Sequence, residues 1–172
     1  MAQAISPVEN LSNQEAVEKI KELAEKAQTF MFTTSIQSDY PTTRPMTVQE
    51  VDAEGNLFFI SSSESHNVDE IKENNRVQLY FSNTSNYEFL YVLGEASLHT
   101  DKALIEKYWT KIAEAWFEGK DDPRIRIVKV KPVDAYYWDT KYSKIVSLVK
   151  IGWAAVTGAK IEDGGIEGEL KV

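Results

Sequence analysis

The sequence predicts a mainly β, α+β domain: an antiparallel barrel or strongly bent sheet with helices laid around it. Strand-like runs cluster instead of alternating with helices, which speaks against a doubly wound α/β fold. Six or more such runs are short, and three helical stretches are set between them. The longest run, "EFLYVLGEASLHT", carries Gly94 inside it, the mark of a bulge or sharp bend.

Taken in order, "SNQEAVEKIKELAEKAQTF" places Val17, Ile20, Ala24 and Ala27 on one stripe, with charges between them. Ser12 and Glu15 have the spacing of a capping box, and the helix is expected to lie as a lid on the sheet. "FMFTTSI" and "TRPMTVQEV" follow as strands, and Glu54-Gly55-Asn56 turns the chain into "LFFIS". A short helix begins near Asn67, and "RVQLYFS" then alternates with Val77, Leu79 and Phe81 on one face. "DKALIEKYWTKIAEAWF" reads as one helix with a broad face of Ile105, Tyr108, Trp109, Ile112 and Trp116. "RIRIVKVKP", "DAYYWDT" and "GWAAVTG" are strand-like. One domain over 1–158 is expected, followed by an acidic, Gly-rich tail over 159–172 that is loosely held.

A length of 172 residues suits one well-buried core. With 42% hydrophobic and 27% charged residues the usage is ordinary for a globular chain. A net charge of -8, without a basic patch, argues against nucleic acid or an anionic membrane as the main partner. Cys is absent, which removes disulfides, thiolate chemistry and Cys-based zinc sites. "MAQAISPVENLSNQEA" shows neither a basic nor an apolar leader region, and no run approaches the roughly 18 apolar residues of a membrane span. A cytoplasmic location is expected.

Chemistry gathers at "NLFFISSSESHNVDEI", where a buried strand hands over to a helix. A helix N-terminus offers unpaired N–H groups and the positive end of a dipole, so the Ser hydroxyls and His66 can add donors to a phosphate cradle. Ser and Asn are also ordinary helix caps, and Asn67 with Glu70 has cap spacing, so these residues alone leave both readings open.

The stretch "TTRPMTVQEVDAEGNLFFISSSESHNVDEIKENNRVQLYF" resembles the FMN-binding split barrels related to pyridoxamine 5′-phosphate oxidase, and within them the general stress protein group. Arg44-Pro45-Met46, the "N-x-R-V-x-L-x-F" pattern from Asn74 to Phe81, "AWFEGKDDP" and "YYWDT" carry the likeness, which runs from about residue 14 to Gly158. The resemblance implies a six-stranded antiparallel split β-barrel decorated by helices, working as a homodimer with FMN at the subunit interface. By position, Arg44, Met46, Thr47 and Gln49 would lie near the flavin. Phe59, Ile60 and Ser61 would follow the ring and ribityl chain, and Ser65, His66 and Asn67 would hold the phosphate. Trp116 and Trp138 match aromatic residues through which the partner approaches, although either can equally be core.

Two departures stand out. His66 and Asn67 replace the Arg or Lys common at the phosphate loop, and "WFEGK" lacks the usual Pro. Exchanging a charged donor for a neutral one weakens binding by about tenfold. The implied activity is that of a flavin-dependent oxidoreductase. One alternative is a flavin-binding reservoir or stress sensor without turnover, which the missing Gly-rich dinucleotide motif favours. Another is a haem- or deazaflavin-binding barrel, for which only His66 and His99 could supply an axial imidazole. No spacing suggests a metal site, and no residue stands out as a catalytic acid or base.

Overall fold

The computed structural model describes residues 8–140 and 165–172. Strand β1 (Leu11–Ser12) leads into helix α1 (Asn13–Ala27), followed by β2 (Thr29–Thr34), β3 (Thr42–Thr47), β4 (Glu50–Val51) and β5 (Leu57–Ser62). Helix α2 (His66–Glu73), β6 (Arg76–Asn83), β7 (Glu88–His99) and α3 (Lys102–Tyr108) come next. A 3-10 turn (Ala113–Ala115), β8 (Ile125–Thr140) and β9 (Gly165–Lys171) complete the described order.

The expected mainly β class holds, but the strand count and closure differ from a six-stranded barrel. The described strands form one nine-stranded sheet along β1-β9-β8-β7-β6-β2-β3, with β5 also on β8 and β4 on β5. The sheet is mixed, because β1 runs parallel to β9 while the other pairs are antiparallel. It is not closed: among the described residues β3 pairs only with β2.

Curvature comes from β8. Its first part, Ile125–Val130, pairs with β5, and Ala135–Thr140 pairs with β9, while β7 accompanies both stretches. Between them the register against β7 shifts at Leu93/Gly94, opposite Pro132. Pro is tolerated there because a bulge already interrupts the ladder. A Cβ on Gly94 would stand 2.5 Å from Val130 Cγ1 and 2.7 Å from the Lys131 carbonyl oxygen, so only glycine fits the bend. "RIRIVKVKP" and "DAYYWDT" are therefore one strand of 16 residues.

The core is aromatic at its centre. Phe30 stacks on Phe81 at 4.8 Å, and Phe59 meets Phe30 and Phe32 edge-on at 5.2 and 5.0 Å. Helix α1 covers this core with Ala16, Val17, Ile20, Leu23 and Ala24, as its periodicity predicts. Its predicted capping box is not made: Ser12 is the N-cap residue but forms no side-chain cap bond. A second cluster lies across β5, where Phe58 stacks on Tyr108 at 5.1 Å beside Ile105, Ile125 and Ile127.

Two further expectations fail. The run 101–117 is not one helix: α3 stops at Tyr108, Trp109 is extended, and the chain restarts with the Ala113 N–H donating to the Thr110 carbonyl. Once Ile105 and Tyr108 are buried, nothing holds the later residues to the same axis, and Thr110 starts a new turn. The tail is also not wholly loose. Residues 165–171 form β9, clamped between β8 and β1, and the Tyr137 hydroxyl donates to the Glu9 carbonyl beside it. "GWAAVTG" lies outside the described residues.

Candidate functional site

Strand β3, the segment to Gln49, the end of β5, the start of α2 and the segment 110–117 line an open cavity of about 800 Å³. That size lies within the ordinary range for small-molecule and cofactor pockets. It brings together Arg44, Met46, Thr47, Gln49, Ile60, Ser61, Ser65, His66, Asn67 and Trp116 from the sequence-predicted set. Residues far apart in the chain meet because β5 delivers α2 to one wall while the segment after α3 closes another.

Phe59 does not line the cavity. Strand alternation turns its ring into the core, where it is fully buried, while Ile60 takes the cavity side. Trp138 also lies outside this chain's cavity, paired with Phe89 in register and packed at 4.8 Å against Tyr136. Trp116 lines the cavity of its own chain. Trp109 is half-buried against the second cluster near Phe117, as a core reading expects. His99 contacts Ser97 at 2.8 Å and is not part of the lining, which leaves His66 as the lining imidazole.

The handover after β5 is built tightly. Buried Asn67 and buried Ser61 join side chain to side chain, Nδ2 to Oγ at 3.0 Å, which pins the first turn of α2 to the strand. The Ser65 N–H donates to the Ser62 carbonyl at 3.0 Å, and the Ser63 N–H donates to the Arg124 carbonyl at 2.7 Å. Ser65 is the N-cap residue, yet its hydroxyl makes no capping bond. None of the described helices has a side-chain cap bond, and Ser65 lines the cavity.

Across from it, Arg44 is held by a network that the sequence did not reveal. Arg44 Nη1 donates to Thr34 Oγ1 at 2.5 Å, and Nη2 reaches Glu70 Oε2 at 2.9 Å. The Thr34 and Thr42 hydroxyls each donate to the Glu70 carboxylate at 2.5 Å. Burial pushes the Glu70 carboxyl up, but the bonds from Thr34, Thr42 and Arg44 and the guanidinium charge outweigh it and hold the group below the usual range. Glu70 therefore belongs to Arg44 and not to a cap at Asn67.

Pro45, Val48, Ser62, Thr110, Ile112, Ala113 and Phe117, none of them assigned to the site from sequence, complete most of the wall. For Ile112 the helical stripe pointed to core, and only the break after Tyr108 puts it here. Chemically the site offers an apolar wall from Met46, Ile60, Ile112, Trp116 and Phe117, amides and hydroxyls, and a helix N-terminus. This set fits a flat aromatic ligand with an anionic tail. Among the described residues no cluster could hold a metal ion, and no helix is long and apolar enough to cross a membrane.

The chain is similar in sequence and in fold to several known proteins. The Bacillus subtilis general stress protein 26 is 31% identical over 81 residues, which span 45% of this chain and 58% of that protein. Protein bli-3 of Neurospora crassa is 26% identical over 138 residues, 74% of this chain and 66% of that one. This chain thus spans less than two thirds of either relative's length. Among solved structures, the general stress FMN/FAD-binding protein of Xanthomonas citri is 25% identical, with a TM-score of 0.64, over 76% of this chain and 93% of that one. A candidate general stress protein 26 from Jannaschia sp. CCS1 shares the fold at a TM-score of 0.74 and 19% identity, over 92% of this chain and 99% of that one. The model of the "Pyridoxamine 5'-phosphate oxidase like" family matches residues 15–162, and the chain belongs to that family.

Proposed function

We propose that the cavity binds FMN and that the protein is a flavin-dependent oxidoreductase. The observation that carries this reading is the convergence of β3, the Ser61–Asn67 handover and Trp116 on one cavity with both an apolar wall and anion donors. The Xanthomonas citri relative, described as FMN/FAD-binding, supports a flavin as the ligand. When bound, FMN would supply hydride or single-electron transfer, chemistry that no side chain here provides.

The chain's own residues bind and orient. Met46, Ile60 and Trp116 would exclude water from the ring, while Arg44, Thr47 and Gln49 offer donors to its polar edge. Ser65, His66 and the start of α2 would take the phosphate, with Asn67 fixing the helix against Ser61. A second reading, binding without turnover, is favoured by the shortage of acid–base groups: among the described lining residues, His66 is the one side chain suited to moving a substrate proton.

A homodimer and a cytoplasmic location are part of the proposal. Pro45, Met31, Tyr80, Tyr91 and Tyr136 stand side by side across five strands, on the face opposite the core. Met31 and Tyr80 are 45% and 44% exposed, and Pro45 also lines the cavity, so a second copy on this face would reach the site.

The test is the visible spectrum of purified protein before and after FMN addition and removal of free flavin, followed by NADH or NADPH. Retained flavin bands that bleach and recover in air support the oxidoreductase. Retained bands that neither nucleotide bleaches support the reservoir. A spectrum empty after FMN addition overturns both, and a Soret band moves haem, with His66 as its axial candidate, to the front.

A further inference from the structure

Of the described residues lining the cavity, Arg44 alone carries a fixed charge, and that charge is already engaged. Its guanidinium sits 2.9 Å from the carboxylate of Glu70, which is itself fastened by two threonine hydroxyls. Glu70 follows His66 by four residues on α2, so it lies one helical turn along the same face from the end that meets the cavity. Both partners are only partly exposed, with side chains at 23% and 19%, so solvent screens the pair incompletely. The carboxylate also stays ionised at neutral pH, since its network holds it below the usual range.

We propose that Glu70 is a charge brake on this cavity: by neutralising Arg44 it leaves the site without net fixed charge and weakens its grip on anionic ligands. Glu70 acts through Arg44 and is a positioning residue, touching no ligand itself. This inference rests on the flavin reading above. It also gives a physical meaning to the absent cation at the phosphate loop: the cavity has a cation, but its charge is cancelled in place.

The test compares FMN with riboflavin, which share the ring and differ in the phosphate, so contacts to the ring cancel in the ratio of their dissociation constants. Glu70→Gln removes the charge while keeping an acceptor for Arg44 and the threonines. The riboflavin-to-FMN ratio of dissociation constants is expected to rise on the order of tenfold. Raising the salt concentration should shrink that gain. Arg44→Gln/Glu70→Gln, in which the pair again sums to zero, should return the ratio to within about twofold of the wild type.

An unchanged or lower ratio in Glu70→Gln overturns the inference. So does a marked loss of FMN preference in the double variant, which would make Arg44 the phosphate's working cation. If Glu70→Gln does not fold, shown by circular dichroism, Arg44→Gln is read with the double variant: leaving Glu70 uncompensated should lower the ratio on the order of tenfold, and an unchanged ratio overturns the inference. Wild-type protein that binds neither flavin would instead overturn the proposed function.

Discussion

Strand β5 is buried on both faces, and the two faces meet different surroundings. On one, Leu57 and Phe59 enter a core walled by strands and covered by α1, where Phe32, Leu79 and Val92 have no exposed surface. On the other, Phe58 and Ile60 meet a smaller cluster under α3 that thins towards the cavity. There Ile112 and Trp116 remain 72% and 75% exposed. The first face has used its apolar surface for folding. The second still has surface to bury, and it lies beside the anion donors of α2. On the proposed function, stability and binding share one strand and draw mainly on opposite sides of it.

The largest expected effect lies on the closed face. Phe59→Ala should cost about 3–5 kcal/mol, because Phe30 and Phe32 cannot collapse into the space left. Phe58→Ala should cost clearly less, since its cluster is bounded by one short helix and an irregular segment that can move in. Chemical denaturation of both variants checks this, and equal losses would remove the distinction between the faces. Gly94→Ala should cost about 1–3 kcal/mol, because the new Cβ meets the Lys131 backbone, which cannot swing aside as a side chain would.

Acid should act on the ligand side of the molecule. The Glu70 carboxyl is held below its ordinary 4.5 in the folded protein, so its contribution to stability is full above that value and is lost as pH falls through the folded value. The melting temperature of the wild type should therefore drop below pH 4.5 relative to that of Glu70→Gln. Parallel profiles for the two proteins would show that the Thr34–Thr42–Arg44 network adds no stability. The smallest effect on folding is expected at Trp116→Ala, within about 0.5 kcal/mol given its exposure. The same change should weaken flavin binding about two- to tenfold by loss of an aromatic contact. A Trp116 variant that loses stability without losing flavin would place that ring in the core after all.

Much of the fold was legible. The stripe of α1, the alternation of β6 and the bend at Gly94 follow local rules, and the structure shows each of them. What escaped was set by partners distant in the chain. The sequence "GIEGELK" has too few apolar residues to announce a strand, and becomes β9 only because β1 and β8 offer ladders on either side. Pro132 looked like a strand end because the register shift that accommodates it lies on β7. At the site, short-range chemistry at Ser61–Asn67 was readable as a helix entry, whereas Arg44 and Glu70 are 26 residues apart and carried no pattern linking them.

By itself, the sequence determined the periodic elements, the absence of cysteine chemistry and the small polar residues at the start of α2, since each depends on residue type and near neighbours. Tertiary structure decided which face of β5 each aromatic ring took, where the helix after Asp101 had to stop and which carboxylate met Arg44. Those outcomes depend on competition for burial and for hydrogen-bond partners among segments that only the folded chain brings together.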